Sequence, residues 1–399
     1  MSPVTETALQ EAILAAHDTA EPIWVYGQGS KAATMRPVQA ARSLTTAQLS
    51  GITLYSPSEL ILSARAGTPI VEIEAALASN NQHIIAEPPD FSRLLGATTP
   101  QTIGGVVATN LSGPRRVAWG AMRDHVMGVR AVNGMGEAIR SGGRVLKNVT
   151  GLDLCKLLTG SHGTLAVMSE ITIKVLPAPE RRATLAFAGL DAAHAVAALS
   201  AALGSPYGVS GAAYLPADAA SMVPMVSWLG GSVTLVRIED FAPSVAYRAD
   251  RLRADMAPFG AAEILDDGAS RALWSAVRDA APLPAAPQDA IWRVSVRPSA
   301  GPRVARALQL EFGAQYFLDW GGGLVWIAGP ATAAAHEAVC EIARAEFGTW
   351  TLFRAPEALR LACAVIPPEP APLAAIAARV KAAFDPKCIL NPGRMRAGQ

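Results

Sequence analysis

Apolar residues recur along this chain at two periods. Ile103, Val106, Val107 and Leu111 stand at i, i+3, i+4 and i+8, the spacing of one helix face. Thr102 precedes them where an N-cap hydroxyl accepts from a backbone N–H. Gly104 and Gly105 fill the first turn, at a cost of about 1 kcal/mol each relative to alanine. Two glycines together point to something close to the backbone. At a helix N-terminus the natural visitor is an anion. The same period predicts a helix over residues 5–17, with Leu9, Ile13 and Leu14 on one face. Another follows Gly67-Thr68-Pro69, with Thr68 as cap, Pro69 in the first turn and Ile70, Ile73 and Leu77 buried.

Period two predicts strands over residues 23–26, 52–55 and 60–66, with a short one at Ile84-Ile85. Residues 126–132 and 137–140 form a hairpin across Asn133-Gly134-Met135-Gly136. A short helix covers residues 152–158. Ile171, Ile173 and Val175 alternate with Thr172 and Lys174, the pattern of a half-buried strand. Pro177 and Pro179 end this region. Beyond it, helices are expected over residues 191–203, 244–258, 269–280 and 332–347. Strands are expected over 233–238, 291–296, 315–318, 324–327 and 350–353. That mixture predicts an α+β layer with an antiparallel sheet. A last helix, residues 373–384, would turn Leu373, Ile376 and Val380 inward. The expected division is 1–179, 180–370 and a C-terminal return, 371–399.

Composition narrows the classes. The 399 residues carry a net charge of +1, which argues against a nucleic-acid partner. A mean hydropathy of +0.26 reflects alanine. Glycine and proline break the long uncharged runs of residues 192–236, so no transmembrane segment is expected. Without a signal-peptide core near Glu6, the expected location is cytoplasmic. Cys155, Cys340, Cys363 and Cys388 lack metal-ligand or redox spacing, so free thiols, no metal site and no iron–sulfur cluster are expected in this chain.

Three glycine turns carry the candidate chemistry. Gly27-Gln28-Gly29-Ser30-Lys31 follows a strand and can form an anion nest; it lacks the third glycine of a Rossmann fingerprint. The others are Thr102 to Gly105 and Gly160-Ser161-His162-Gly163-Thr164. Together they resemble the FAD-binding domain of the vanillyl-alcohol oxidase / p-cresol methylhydroxylase (PCMH-type) family. In that family a Gly-x-Gly-Ser/Thr loop holds the FAD pyrophosphate, while a Thr-Ile-Gly-Gly helix start and a Gly-Ser-x-Gly-Thr-Leu turn close round the cofactor. Lys147-Asn148-Val149-Thr150-Gly151-Leu152-Asp153-Leu154 and the tail from Asp385 to Arg394 resemble further family segments. Glu87-Pro-Pro, Gly113-Pro-Arg-Arg116, Val145-Leu-Lys-Asn148, Asp319-Trp-Gly-Gly322 and Asn391-Pro-Gly-Arg-Met narrow the resemblance to the smaller FAD-binding subunits of bacterial glycolate oxidases. It runs nearly end to end, loosely over residues 184–287, with residues 94–99 extra.

The resemblance implies an α+β fold: a two-lobed PCMH-type FAD-binding domain plus an α+β domain whose antiparallel sheet is flanked by helices. It places FAD on Gly27, Gln28, Gly29, Ser30 and Lys31, and on Thr102, Gly104, Gly105, Thr109, Asn110, Ser112 and Gly113. It adds His162, Gly163, Thr164, Ala166, Val167, Ile171, Asn391 and Arg394. Ser30-Lys31 stands where covalent relatives carry a flavin-linking histidine, so non-covalent FAD is implied. The implied partners are a larger catalytic flavoprotein subunit and an iron–sulfur subunit. Their complex would oxidise glycolate, a small 2-hydroxyacid, to glyoxylate and sit peripheral to the inner membrane.

The six histidines, His17, His83, His125, His162, His194 and His336, form no local ligand pair. His336-Glu337 is expected on a solvated helix face. Without an evident base, removal of hydride from an alcohol carbon lacks its proton acceptor, so catalytic residues are unassigned and an electron-transfer role is favoured. Trp320 to Gly323, Trp326 and residues 366–372 are expected to pack domains. Two other readings stay open. One is a self-sufficient 2-hydroxyacid dehydrogenase with Arg293 or Arg297 as carboxylate clamp; the other is a structural subunit without cofactor.

Overall fold

The computed structural model describes residues 1–143 and 152–398. The motifs at Val145 to Asn148 and Lys147 to Gly151 lie outside the described residues. The chain forms two units: residues 1–112, 120–178 and 368–399, and residues 113–119 and 179–367.

In the first unit, β1 (Ile23–Tyr26) and β2 (Arg42–Thr45) pair in parallel. A larger antiparallel sheet contains β3 (Ile52–Ser56), β4 (Ile61–Arg65), β5 (Gln82–Ile84), β6 (Val126–Asn133), β7 (Ala138–Gly142) and β8 (Ala166–Pro177). Its order is β3-β4-β8-β6-β7, with β5 on the far end of β8. The Ile70–Ala78 and Ile103–Thr109 helices bury Ile70, Ile73, Leu77, Ile103, Val106 and Val107 in one core with Leu62, Val129 and Ile171. A second core joins Leu9 and Ile13 of the Glu6–Thr19 helix to Ile23, Leu44, Val167, Ile389 and Leu390. The two cores make the two lobes of the FAD-binding domain.

Several expectations need correction. Leu14 is 46% exposed, because the buried stripe runs through Leu9, Ile13 and Ala16. Thr68 is no cap: its hydroxyl donates to the Arg65 carbonyl and accepts from Gly51 N–H, and Pro69 stands at the N-cap. Thr172 is buried, hydroxyl to hydroxyl with Ser63 at 2.8 Å. The Ala371–Phe384 helix forms as expected but buries no residue fully; Leu373 is 55% and Ile376 49% exposed. Its alanine-rich sequence supports the helix without marking a packed face.

The second unit is built on β9 (Arg181–Ala188), β10 (Val209–Leu215), β11 (Val233–Asp240), β12 (Ala262–Leu265), β13 (Ala290–Ser295), β14 (Gln315–Asp319), β15 (Leu324–Gly329) and β16 (Thr349–Arg354). Among the described residues these make one eight-stranded sheet, order β12-β9-β11-β10-β14-β15-β13-β16, antiparallel throughout. The helices include Ala192–Leu203, Ala242–Asp255, Asp267–Arg278, Gly301–Phe312 and Ala333–Ala345. This is the α+β domain with a helix-flanked antiparallel sheet.

A charged cluster lies inside this unit. Glu239 accepts two hydrogen bonds of 2.8 Å from Arg115 and lies 3.5 Å from both Arg182 and Arg237. Arg237 stacks 4.7 Å above the Trp274 ring and bonds Ser210. His336 is buried, against expectation. Its Nδ1 accepts from Trp292 Nε1 at 3.1 Å, and Cys340 Sγ lies 3.4 Å from Nε2. Burial lowers its pKa, so a hydrogen-bonded neutral imidazole fills the helix's inner face. All four cysteines are free.

Candidate functional site

The first unit opens a cleft of about 760 Å³, the solvent at its mouth included. β1 delivers the chain into the Gly27–Lys31 turn, and Gly29 takes φ +80°, a conformation open to glycine. Gly27 is needed for space: a Cβ there would lie 2.5 Å from Thr102 Oγ1. Among the described residues, the N–H groups of Gln28, Gly29, Ser30 and Lys31 have no protein acceptor. Successive open donors on a tight turn form an anion cradle.

Lys31 adds the charge. Its Nζ donates to Gln101 Oε1 at 3.2 Å and lies 3.7 Å from where a Cβ on Gly105 would sit. Burial pushes this ammonium down to about 8, against the pull of Asp90.

The neighbouring helix start works differently from its sequence reading. Ile103 N–H donates to Thr68 O, Gly104 N–H to Ala66 O and Gly105 N–H to Thr102 Oγ1. The first-turn donors are therefore taken by protein, not left for an anion. Gly104 is explained by packing, since a Cβ would meet Ala66 O at 2.7 Å. Only Gly105 keeps the wall low beside Lys31.

The Gly160–Thr164 turn and the tail complete the cleft. Gly160 and His162 donate their N–H groups to Val107 and Ala108, tying the turn to the helix. His162 takes φ +52°. Burial, then the Arg394 charge, hold its imidazole down to about 3, so it is neutral and too weak a base to accept an alcohol's proton at neutral pH.

Asn391 bridges two walls. Its Oδ1 accepts from Val25 N–H at 2.7 Å, and its Nδ2 donates to the carbonyls of Val25 and His162. Arg394 donates to the carbonyls of Lys31, Ala32 and Arg36 at 3.0, 3.4 and 2.9 Å, and to Thr34 Oγ1 at 3.4 Å. Its guanidinium thereby holds the segment from Lys31 to Arg36 in shape.

The structure brings together Gly27, Gln28, Gly29, Ser30, Lys31, Thr102, Gly104, Gly105, Thr109, His162, Gly163, Ala166, Val167, Asn391 and Arg394 on the cleft. Asn110, Ser112, Thr164 and Ile171 do not line it. Asn110 and Ser112 instead accept from Arg123 and Met122 N–H groups. Gly113 belongs to the other unit. Sequence reasoning missed Trp24, Tyr26, Thr46, Ala66 and Met168, which also line the cleft. Trp24 and Tyr26 stack at 4.5 Å; their i, i+2 spacing on β1 was the available signal.

FAD fits these residues. An unsatisfied N–H cradle and one buried ammonium suit a pyrophosphate, and apolar walls suit flat rings. Among the described residues no group of three or more His, Cys, Asp or Glu could hold a metal ion. No described helix is long and apolar enough to cross a membrane.

Residues 1–142 match the FAD binding domain family. The chain is 33% identical over 392 residues to the glycolate oxidase subunit GlcE of Escherichia coli K12, covering 98% of this chain and 97% of that one. It is 40% identical over 108 residues to the glycolate oxidase subunit GlcD of Bacillus subtilis 168, covering 27% and 22%. Among solved structures, p-cresol methylhydroxylase with substrate bound aligns with a TM-score of 0.72 at 13% identity, covering all of this chain and 88% of that one. At that identity the likeness is one of fold.

Proposed function

Because the chain belongs to the family of the glycolate oxidase subunit GlcE, on a PCMH-type FAD-binding fold, we propose that it is the FAD-binding redox subunit of a 2-hydroxyacid oxidase complex. The complex oxidises glycolate to glyoxylate with a larger catalytic flavoprotein subunit and an iron–sulfur subunit. The observation that carries the cofactor reading is the run of open N–H donors from Gln28 to Lys31 beside a buried ammonium.

When bound, FAD would supply hydride and electron acceptance. Gln28 to Lys31 would hold the pyrophosphate through backbone N–H groups, with Lys31 Nζ balancing its charge. Asn391 fixes β1 against the His162 turn, and Arg394 keeps the loop in its donor-out form. Neutral His162 would touch the cofactor without moving a proton. Ser30 and Lys31 supply no histidine to the first loop, which supports non-covalent attachment.

The test is purification from the native cell. One acid-releasable FAD per chain, co-purification of both partners, and glycolate-driven dye reduction only when they are present support the proposal. Flavin-free protein that takes up no added FAD overturns the cofactor reading. Full glycolate turnover by the chain alone overturns the subunit reading.

A further inference from the structure

The second unit holds an arginine with no hydrogen-bonded anion among the described residues. Arg293 lies mid-strand on β13, paired with Trp326 of β15 and Thr351 of β16. Its guanidinium carbon is 5.0 Å from the centroid of the Trp326 ring, 5.6 Å from Trp320 and 5.9 Å from Phe353. Its Nε is shut away from water and donates to nothing among the described residues. The other arginines of this interior are answered. Glu239 serves Arg115, Arg182 and Arg237, Asp240 serves Arg248, and backbone carbonyls serve Arg354 and Arg360.

A partly shielded cation without a hydrogen-bonded anion is costly, and ring faces offset that only in part. The surroundings add charge of the same sign. Arg116 stacks 4.5 Å over the far partner of the cage, Trp320, and its charge opposes that of Arg293; Asp319 acts the other way. A planar fork with open N–H donors matches a carboxylate, and ring walls strengthen the attraction by excluding water. Arg297, the other sequence candidate, is 60% exposed and already pairs with Glu346 at 3.3 Å.

We propose that Arg293, in the cage of Trp320, Trp326 and Phe353 and with Arg116 beside it, is a carboxylate-binding subsite for a short 2-hydroxy or 2-oxo monocarboxylate. The choice of a 2-hydroxy or 2-oxo monocarboxylate rests on the function proposed above; the presence of a carboxylate site at Arg293 does not. This chain then binds substrate or product of the complex itself.

The experiment titrates glycolate calorimetrically into the full FAD-loaded chain, with acetate and succinate as comparison ligands and flavin absorbance recorded for every sample. Saturable glycolate binding, weaker succinate binding, and a loss of about tenfold or more in Arg293→Gln are expected, with partial recovery in Arg293→Lys. Flavin content stays unchanged throughout. Absence of saturable binding to the flavin-loaded wild type, or equal affinity in Arg293→Gln, overturns the subsite while leaving the cofactor reading standing.

Should Arg293→Gln fail to fold, the unmodified chain decides. Phenylglyoxal labelling read by peptide mass spectrometry is expected to mark Arg293, with glycolate protecting it and leaving Arg297 unprotected. An Arg293 that glycolate does not protect, or that the reagent never reaches, overturns the proposal.

Discussion

Two regions hold positive charge away from water and answer it in opposite ways. Around Glu239 in the second unit, three arginines share one buried carboxylate, and an indole ring and Ser210 take up further donors. Around Lys31 in the first unit, the ammonium hydrogen-bonds an amide oxygen and feels Asp90 at a distance, and among the described residues the adjacent backbone donors have no protein acceptor. The first arrangement is closed on itself and reads as architecture. The second is left open on one side and reads as a place for an anion. What separates them is not how much charge is buried but how much of it the protein has already satisfied.

The sharpest way to break this contrast is to unbalance the closed cluster. Burial alone would raise the Glu239 carboxyl; the Arg237 charge and the Arg115 hydrogen bonds outweigh it and hold it well below the usual carboxylate range. Its stabilising contribution is therefore present above the unfolded-state value of about 4.3 and lost as pH falls towards the depressed value. Glu239→Gln strands three arginines and is expected to cost about 3–5 kcal/mol in denaturant unfolding at neutral pH. A loss under 1 kcal/mol would mean that the cluster is as well solvated as a surface pair.

The next effect is on the open region. Arg394→Met removes the donors that shape the glycine loop and is expected to weaken FAD binding by about a hundredfold, read by flavin fluorescence quenching. Unchanged affinity would show that the loop holds its form unaided.

Gly104→Ala and Gly105→Ala then separate packing from ligand access. The first is expected to cost about 2 kcal/mol of stability, since the added Cβ meets Ala66. The second should leave thermal stability near wild type and act on FAD affinity. Equal effects would refute the division of labour between the glycines.

The smallest effect belongs to Lys31. Its ammonium ionises near pH 8 in the ligand-free cleft, and a pyrophosphate beside it would raise that value. Binding then favours the protonated form, so FAD affinity holds below about pH 8 and falls above it. Lys31→Met is expected to cost about tenfold in affinity at neutral pH and to flatten this profile. A wild-type profile already flat would place the anion elsewhere.

The comparison also shows what the sequence could carry. The FAD-binding lobes were legible because Ile103, Val106 and Val107, or Ile70, Ile73 and Leu77, place one face inward at helical period. The glycine turns were legible as a set, and fifteen of the twenty expected residues line the cleft. Where packing is two-sided the signal vanishes. β10 is buried at every position and shows no alternation, and its Gly211 makes room for the Trp274 ring. β9, β12 and the Gly301–Phe312 helix escaped for related reasons: arginines open β9, and Gly-Pro opens the helix.

His336 misled because a polar pair on a helix does not reveal a buried indole donor 44 residues earlier. Gly104 misled because the backbone it must approach belongs to the protein. Local pattern shows where a face turns inward; it does not show which group satisfies which.

The Asn391 bridge has a consequence for how the molecule is made. It joins residues 366 positions apart, so the Ile23–Tyr26 strand meets this wall only once residue 391 has been synthesised. Early segments of a nascent chain can fold as they emerge, but this one waits with its nucleotide pocket unlatched. A chain cut short of residue 391 is therefore expected to lack this latch and to hold the cofactor less tightly.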